Sequence, residues 1–357
     1  MKLPSLEIGN LTAAVPIIQG GMGVGVSLSS LASAVANEGG IGIISTAQIG
    51  YREKDFATDN REANTRALID QIRKARTLSP DGIIGVNIMV AMNHYRETVN
   101  TAVEEKIDLV ISGAGLPMDL PEMVKGSATK AVPIVSSGRA AALIAKVWDK
   151  KYAYAPDAVV VEGPKAGGHL GFKLEQLDEM ENYEVTDIVK EVIEALKPYE
   201  EKYNKKIPVI AAGGIYTGQD IAKCLEAGAA GVQMSTRFAA TDECDADIKF
   251  KMAYIHAEED DIEIIKSPVG MPGRAVRNDF LDEVSKGNVK VKRCFSCIKT
   301  CDPKNTPYCI TEALIEAAKG NVDEGLVFVG ANAYRVDKIV PVKELMEELV
   351  SAAEAAL

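Results

Sequence analysis

Eight short apolar runs rich in Val and Ile recur along this chain at a nearly fixed spacing. They occupy residues 16–19, 41–44, 83–88, 108–111, 132–135, 158–161, 207–210 and 231–234. Successive starts are 24 to 26 residues apart in five of the seven intervals, and 42 and 49 apart in the other two. A short unbroken run without polar alternation is the signature of a parallel strand buried on both faces. Helix-spaced apolar residues lie between the runs: Leu28, Leu31, Ala32 and Val35, then Ala141, Ile144, Ala145 and Trp148, then Ile221, Ala222 and Leu225. A doubly wound open sheet shares this alternation. Eight units, with polar and Gly-rich segments after the runs, point to an α/β fold of the closed (β/α)8 type, the TIM barrel.

The regularity stops after residue 240. Residues 1–240 are therefore expected to form the barrel. Residues 241–310 are expected to form a small appended lid, and residues 311–357 a helical segment packing back on the barrel. The 49-residue interval holds an acidic stretch, residues 173–203, read as a surface excursion followed by a helix (Ile188, Val189, Val192, Ile193, Leu196).

Charge narrows the partners. The net charge of −11 argues against nucleic acid and anionic membrane surfaces, which are held by clustered cations. The charge-free stretch between Glu7 and Glu38 is broken by Pro16, Gln19, Gly20, Gly21, Gly23 and Gly25, so no membrane span is expected there. The residues Met1-Lys2-Leu3-Pro4 lead into no apolar block, and six Cys in 357 residues make no secreted disulfide scaffold. The expectation is a cytoplasmic protein acting on a small molecule.

In a barrel the chemistry sits in the loops after the strands. The first run is followed by Gly20-Gly21-Met22-Gly23-Val24-Gly25, where bare backbone can approach a flat ligand. After the sixth run comes Glu162-Gly163-Pro164-Lys165-Ala166-Gly167-Gly168-His169-Leu170-Gly171. A histidine flanked by glycines at a strand's C-terminal end is placed for proton transfer, and His169 is the catalytic candidate. His94 and His256 sit in polar, helix-like surroundings and read as surface residues. The seventh and eighth runs are followed by Ala212-Gly213-Gly214 and, after Gln233, by Ser235-Thr236. Bare amides plus hydroxyls after those two strands suit a phosphate.

Four of the six cysteines cluster as Cys294-x2-Cys297-x3-Cys301-x7-Cys309. In a reducing compartment that density suggests a zinc or iron–sulfur site, or else a reduced thiol cluster without metal. Cys224 lies on a helical pattern and reads as buried and inert. No HExxH, GxSxG or GxxxxGK[ST] occurs, which removes the commonest zinc-protease, serine-hydrolase and P-loop readings.

Taken in order, several segments resemble the nitronate monooxygenase (2-nitropropane dioxygenase) family. That family includes flavin-dependent enoyl-acyl-carrier-protein reductases II and related NAD(P)H:quinone reductases. The matching pieces are Pro16-Ile17-Ile18-Gln19-Gly20-Gly21-Met22, Gly85-Val86-Asn87-Ile88, Ser112-Gly113-Ala114-Gly115-Leu116-Pro117, residues 162–171, Ala212-Gly213-Gly214-Ile215, residues 231–238 and Pro268-Val269-Gly270-Met271-Pro272-Gly273-Arg274-Ala275. The resemblance implies a barrel holding FMN non-covalently at its C-terminal face under a smaller lid. It implies Gly21, Met22, Asn87 and Glu162 as flavin contacts, Gly167 and Gly168 lining the ring, and His169 facing its reactive part. Ala212, Gly213, Gly214, Ser235 and Thr236 would hold the phosphate end, with Gln233 near the ribityl chain. The implied activity is oxidation of alkyl nitronates through FMN and O2. The alternative is NAD(P)H-dependent reduction of an enoyl thioester or a quinone. A homodimer is the implied assembly. The Pro164-Lys165 pair and the cysteine cluster depart from the family pattern.

Overall fold

The structure is a computed structural model describing residues 1–287 and 289–357. Eight parallel strands close into a barrel: β1 (Ile17–Gln19), β2 (Ile41–Ser45), β3 (Ile83–Met89), β4 (Leu109–Gly113), β5 (Lys130–Val135), β6 (Val159–Glu162), β7 (Val209–Ala212) and β8 (Gly231–Met234). Every apolar run supplies one strand. Neighbours pair in chain order, and β8 returns to β1 through Gln233 opposite Ile18.

Burial on both faces explains the runs. Ile18, Ile43, Ile111, Val160 and Ile210 pack inside the barrel, while Ile17, Ile44, Val86, Val110 and Val161 pack outward against the helices. An antiparallel hairpin, Leu6–Ile8 with Leu11–Ala13, adds Leu6, Ile8 and Ala13 to the inner cluster. Gly42 on β2 lets α1 approach closely, because a Cβ there would stand 1.8 Å from the Ala32 carbonyl oxygen.

Helices α1 (Ser29–Asn37), α2 (Asn60–Leu78), α3 (Tyr95–Glu104), α4 (Leu120–Val124), α5 (Gly138–Tyr152), α6 (Val185–Tyr203) and α7 (Gly218–Glu226) follow the first seven strands. The eighth outer helix does not come directly after β8. A single helical turn, Thr236–Ala239, follows that strand directly, and the next helix, Ile248–His256, already belongs to the excursion. The place between α7 and α1 is filled by α8 (Val342–Ala356), the last helix of the chain, through Val342, Leu345, Met346, Leu349 and Ala353. Residues 241–341 thus leave the barrel after β8 and return in time to complete it.

That excursion forms a cap. Its strands Ile262–Lys266 and Pro272–Val276 pair antiparallel, and the second also pairs with Gly168–His169 in the loop after β6. A separate apolar cluster of Val269, Phe280, Ile298, Tyr308, Ile310 and Leu326 holds the cap together. Among the described residues, no helix is long and apolar enough to cross a membrane.

Candidate active site

Loops after six of the eight strands converge on a cavity of about 220 Å³ at the C-terminal end of the barrel. His169 and all twelve candidate flavin contacts, from Gly21 to Thr236, line it. The glycines are there for space. A Cβ at Gly21 would lie 2.4 Å from Asn87 Cβ, and one at Gly20 would lie 2.5 Å from Ser235 Oγ.

One end of the cavity is rich in unpaired donors. Gly213 and Gly214 have φ of +90° and +86°, the left-handed region that favours glycine. Among the described residues, none accepts a hydrogen bond from the amides of Gly213, Gly214, Ser235 or Thr236. The loop is pinned from behind. The Asn332 side-chain amide donates to the Gly214 carbonyl at 2.7 Å. Past the loop, Thr217 caps α7 by accepting from the Asp220 amide, and the Asp220 carboxylate accepts from the Tyr216 and Thr217 amides. Fixed amides beside two hydroxyls make an anion cradle that needs no cationic side chain. Midway along the cavity, Gln233 Oε1 is buried without a hydrogen-bond partner. A buried acceptor left unpaired costs about 1–3 kcal/mol, so a ligand donor is expected there.

The other end carries His169, held in place by the cap. His169 stands opposite Gly273 in the cap sheet, and its Nε2 lies 2.7 Å from Ser267 Oγ. Its ring meets Phe328 edge-on, with centroids 5.0 Å apart. Ser267 Oγ also accepts from the Val269 amide at 3.3 Å, which fixes the hydroxyl beside the imidazole. A Cβ added at Gly168, whose φ is +68°, would meet nothing within 4 Å, so the space beside the imidazole is open.

Two titrating groups in the cavity are pushed in opposite directions by the same cause. Burial lowers His169 to about 4, so the imidazole is neutral at pH 7. Burial raises Glu162, at the end of β6, to about 7. Sequence alone points to His169 as the group that titrates near neutrality; in the structure Glu162 is the group that does so.

Several residues at the site, three in its lining and Ser267 behind His169, carry no local sequence signal. Ser267, Phe328, Val329 and Gly330 reach the site only because the cap folds over it. A Cβ at Gly330 would lie 2.6 Å from Thr236 Oγ1, and one at Gly167 would lie 2.6 Å from the Val329 carbonyl carbon. Buried Arg274, from the segment 268–275, donates to the carbonyls of Pro164 and Ala166 and so fastens the His169 loop to the cap. Lys165 turns away from its neighbours in the cavity to pair with Glu184 at 3.0 Å. His94 is exposed beside Glu97, and Cys224 is buried on α7.

The expectation of zinc or an iron–sulfur cluster at Cys294, Cys297, Cys301 and Cys309 is corrected. Among the described residues, no group of three or more His, Cys, Asp or Glu side chains converges so as to hold a metal ion. A single zinc needs its sulfurs about 2.3 Å from one point. Here Cys294 is exposed, while Cys297 and Cys301 pack against the apolar cluster of the cap.

Comparison with known proteins agrees with this layout. The family model described as nitronate monooxygenase matches residues 5–352. A Rhodococcus jostii (strain RHA1) protein named (3aS,4S,5R,7aS)-5-hydroxy-7a-methyl-1-oxo-octahydro-1H-indene-4-carboxyl-CoA dehydrogenase is 25% identical, over 95% of this chain and 92% of its own. A probable nitronate monooxygenase of Staphylococcus aureus (strain Newman) is 28% identical over 77% of this chain and 79% of its own. The solved structure of FabK from Thermotoga maritima superposes with a TM-score of 0.72 at 27% identity, covering 96% of this chain and 93% of that one.

Proposed function

Because the chain belongs to the nitronate monooxygenase family and is an FMN-dependent oxidoreductase of that kind, we propose that it reduces the conjugated double bond of an acyl thioester, with NAD(P)H as reductant. The residues fit FMN. The amides of Gly213 and Gly214 with the hydroxyls of Ser235 and Thr236 would hold the phosphate. Orphaned Gln233 Oε1 would accept a hydroxyl of the ribityl chain. Gly21, Gly167 and Gly168 would leave room for the ring. Bound there, FMN supplies two-electron exchange that no side chain offers.

The observation that carries this reading is a small cavity that shares His169, Val24, Met89 and Leu314 with the flavin cavity. Its walls are almost wholly apolar: Val24, Met89, Met92, Val269, Ile310 and Leu314. Such walls suit an apolar group, such as the first carbons of an aliphatic acyl chain, better than a small anion. The coenzyme A thioester in the name of the Rhodococcus relative supports the same substrate class. His169 would then donate a hydrogen bond to the thioester carbonyl, orienting the double bond. Its neutral state suits a donor that must not bring a full charge into a dry site. Glu162, half-protonated near pH 7, is a second proton store in the same cavity.

Nitronate oxidation is the second reading, favoured by the polar His169–Ser267 pair, which matches the two oxygens of a nitro group. Lys165 is the only cation among the described lining residues, and it is engaged by Glu184, so a nitronate anion would have to be held by neutral donors. The two readings separate in one anaerobic experiment. The holoprotein is mixed with NADH, NADPH or an alkyl nitronate, and bleaching of the flavin band is followed. Bleaching by a nicotinamide, then recovery of colour on adding an enoyl thioester, is expected. Bleaching by nitronate alone would overturn the reductase reading.

A further inference from the structure

The small apolar cavity beside His169 ends against a wall, and a larger cavity lies behind that wall. The first measures about 30 Å³ and the second about 310 Å³. Cys297, Ile298 and Ile310 line both, so these three side chains stand between them. The wall is clamped to the barrel. Ile298 forms a β-bridge with Met92, the Asn93 amide donates to the Cys297 carbonyl at 3.1 Å, and the Lys299 amide donates to the Ala91 carbonyl at 2.9 Å. Lys299 Nζ also donates to the Val90 carbonyl at 2.8 Å. Those barrel residues directly follow β3, whose Met89 lines both the flavin cavity and the small one. On the cap side, Ile310 opens the helix Ile310–Ala318, and Ile298 and Ile310 are both buried in the apolar cluster of the cap.

We propose that Cys297, Ile298 and Ile310 set the acyl length this enzyme accepts, ending the pocket a few carbons past the double bond and so selecting a short-chain enoyl thioester. The inference rests on the reductase reading and names the substrate within it. A cavity needs about 10–15 Å³ for each water-sized group it holds, so the small one seats about two methylenes. With the thioester carbonyl at His169, these are the carbons beyond the double bond. A longer chain would meet side chains held from both the barrel and the cap. A close-packed wall of that kind excludes a chain instead of adapting to it. The chemistry of the wall agrees. A free cysteine packs as a small apolar side chain. Burial pushes the Cys297 thiol up, and the Cys309 thiol behind it up to about 11, so both are neutral at pH 7.

The space behind the wall gives the proposal a direction. Val291, Phe295 and Pro303 line it with the four cysteines, so most of its surface also suits an alkyl chain. Shortening the wall joins the two spaces and gives a longer chain somewhere to go. None of the three wall residues lines the flavin cavity, so the cradle for FMN stays as it is.

The test is a chain-length profile on the FMN-loaded enzyme. Crotonyl, hexenoyl and dodecenoyl thioesters of coenzyme A are compared by kcat/KM with a nicotinamide as reductant. A single methylene in an apolar pocket is worth about 10- to 200-fold. The wild-type enzyme is expected to turn over the crotonyl and hexenoyl thioesters and to lose at least about tenfold with dodecenoyl. Ile298→Ala is expected to recover about tenfold of that loss, with FMN content unchanged. Cys297→Ala, a smaller cut in the same wall, moves the profile the same way and decides the matter if Ile298→Ala does not fold. Cys301→Ala, which lines the far cavity alone, is expected to keep the wild-type profile. The proposal is overturned by equal kcat/KM at all three lengths, by folded wall variants with the wild-type profile, or by a Cys301→Ala shift as large as theirs. Turnover with a flat profile sinks the length limit and leaves the reductase reading standing. No turnover with any thioester sinks both.

Discussion

The barrel and the cap solve opposite problems. The barrel is built by repetition: each strand is buried on both faces, each pairs with its neighbour in sequence, and tolerance for change is small. The cap, residues 241–341, is built by long-range contact: it borrows a strand from the loop after β6 and closes over a site the barrel has already shaped. The barrel supplies the cradle of amides and glycines. The cap supplies the partner of His169 and the four thiols, and it shares the apolar wall beside His169 with Val24, Met89 and Met92 of the barrel. Binding and reactivity are thus divided between two regions with different packing.

The sharpest contrast is in what a methyl group does. Gly42→Ala puts a Cβ against the Ala32 carbonyl, backbone on backbone in the barrel wall. A loss on the order of 4 kcal/mol or more is expected, read as insoluble protein or a collapsed denaturation midpoint. A stable Gly42→Ala protein would break the picture of a barrel wall without slack.

Next in size is an effect on binding alone. Gly214→Val demands a left-handed β-branched residue and a Cβ 2.8 Å from Lys165 Cβ. FMN affinity is expected to fall about 100-fold, near 2.7 kcal/mol, measured by flavin fluorescence on titrating apoprotein. Unchanged affinity would move the phosphate elsewhere.

A smaller effect comes from the two titrating groups, both carried by the barrel, Glu162 at the end of β6 and His169 in the loop behind it. Glu162 has a folded pKa near 7 against an ordinary 4.5, so its contribution to apoprotein stability falls as pH rises between those values. His169 has a folded pKa near 4 against an ordinary 6.5, so its contribution rises with pH over that range. The two slopes oppose each other between pH 4.5 and 6.5, and a nearly flat Tm is expected there. Glu162→Gln should unmask the rising slope, and His169→Gln the falling one. Parallel curves for the two variants would show that burial is not what shifts these groups.

The smallest effect mirrors the first. Gly270 in the cap has φ +86° but nothing within 4 Å of a Cβ. Gly270→Ala is expected to cost only the backbone strain, about 1–2 kcal/mol, seen in the denaturation midpoint. A loss matching that of Gly42→Ala would erase the distinction between the regions.

The same division governs what can be read from sequence. Double-sided burial writes itself into each strand as an apolar run, so all eight strands are legible, as are the Gly-rich loops behind them. Helix α8 is legible as a helix, but not its place beside α7, since nothing in residues 342–356 names a partner more than a hundred residues upstream. Ser267 is invisible as a histidine partner for the same reason. It lies 98 positions from His169, and only the pairing of Gly273 with His169 brings them together. Glu162 stands out as a flavin contact, but its raised pKa depends on burial, which local sequence does not reveal. The cysteine spacing suggests a metal, but only the fold shows that, among the described residues, these side chains are not placed to hold one.

The division of labour is tested most directly with Ser267→Ala, which removes a cap hydroxyl and touches nothing in the barrel cradle. FMN affinity and steady-state turnover are measured on the same preparation. FMN affinity is expected to stay within about twofold, while kcat falls about tenfold, the worth of one hydrogen bond to a reacting group. Loss of FMN in step with kcat, or kcat unchanged, would contradict the assignment of binding to the barrel and reactivity to the cap.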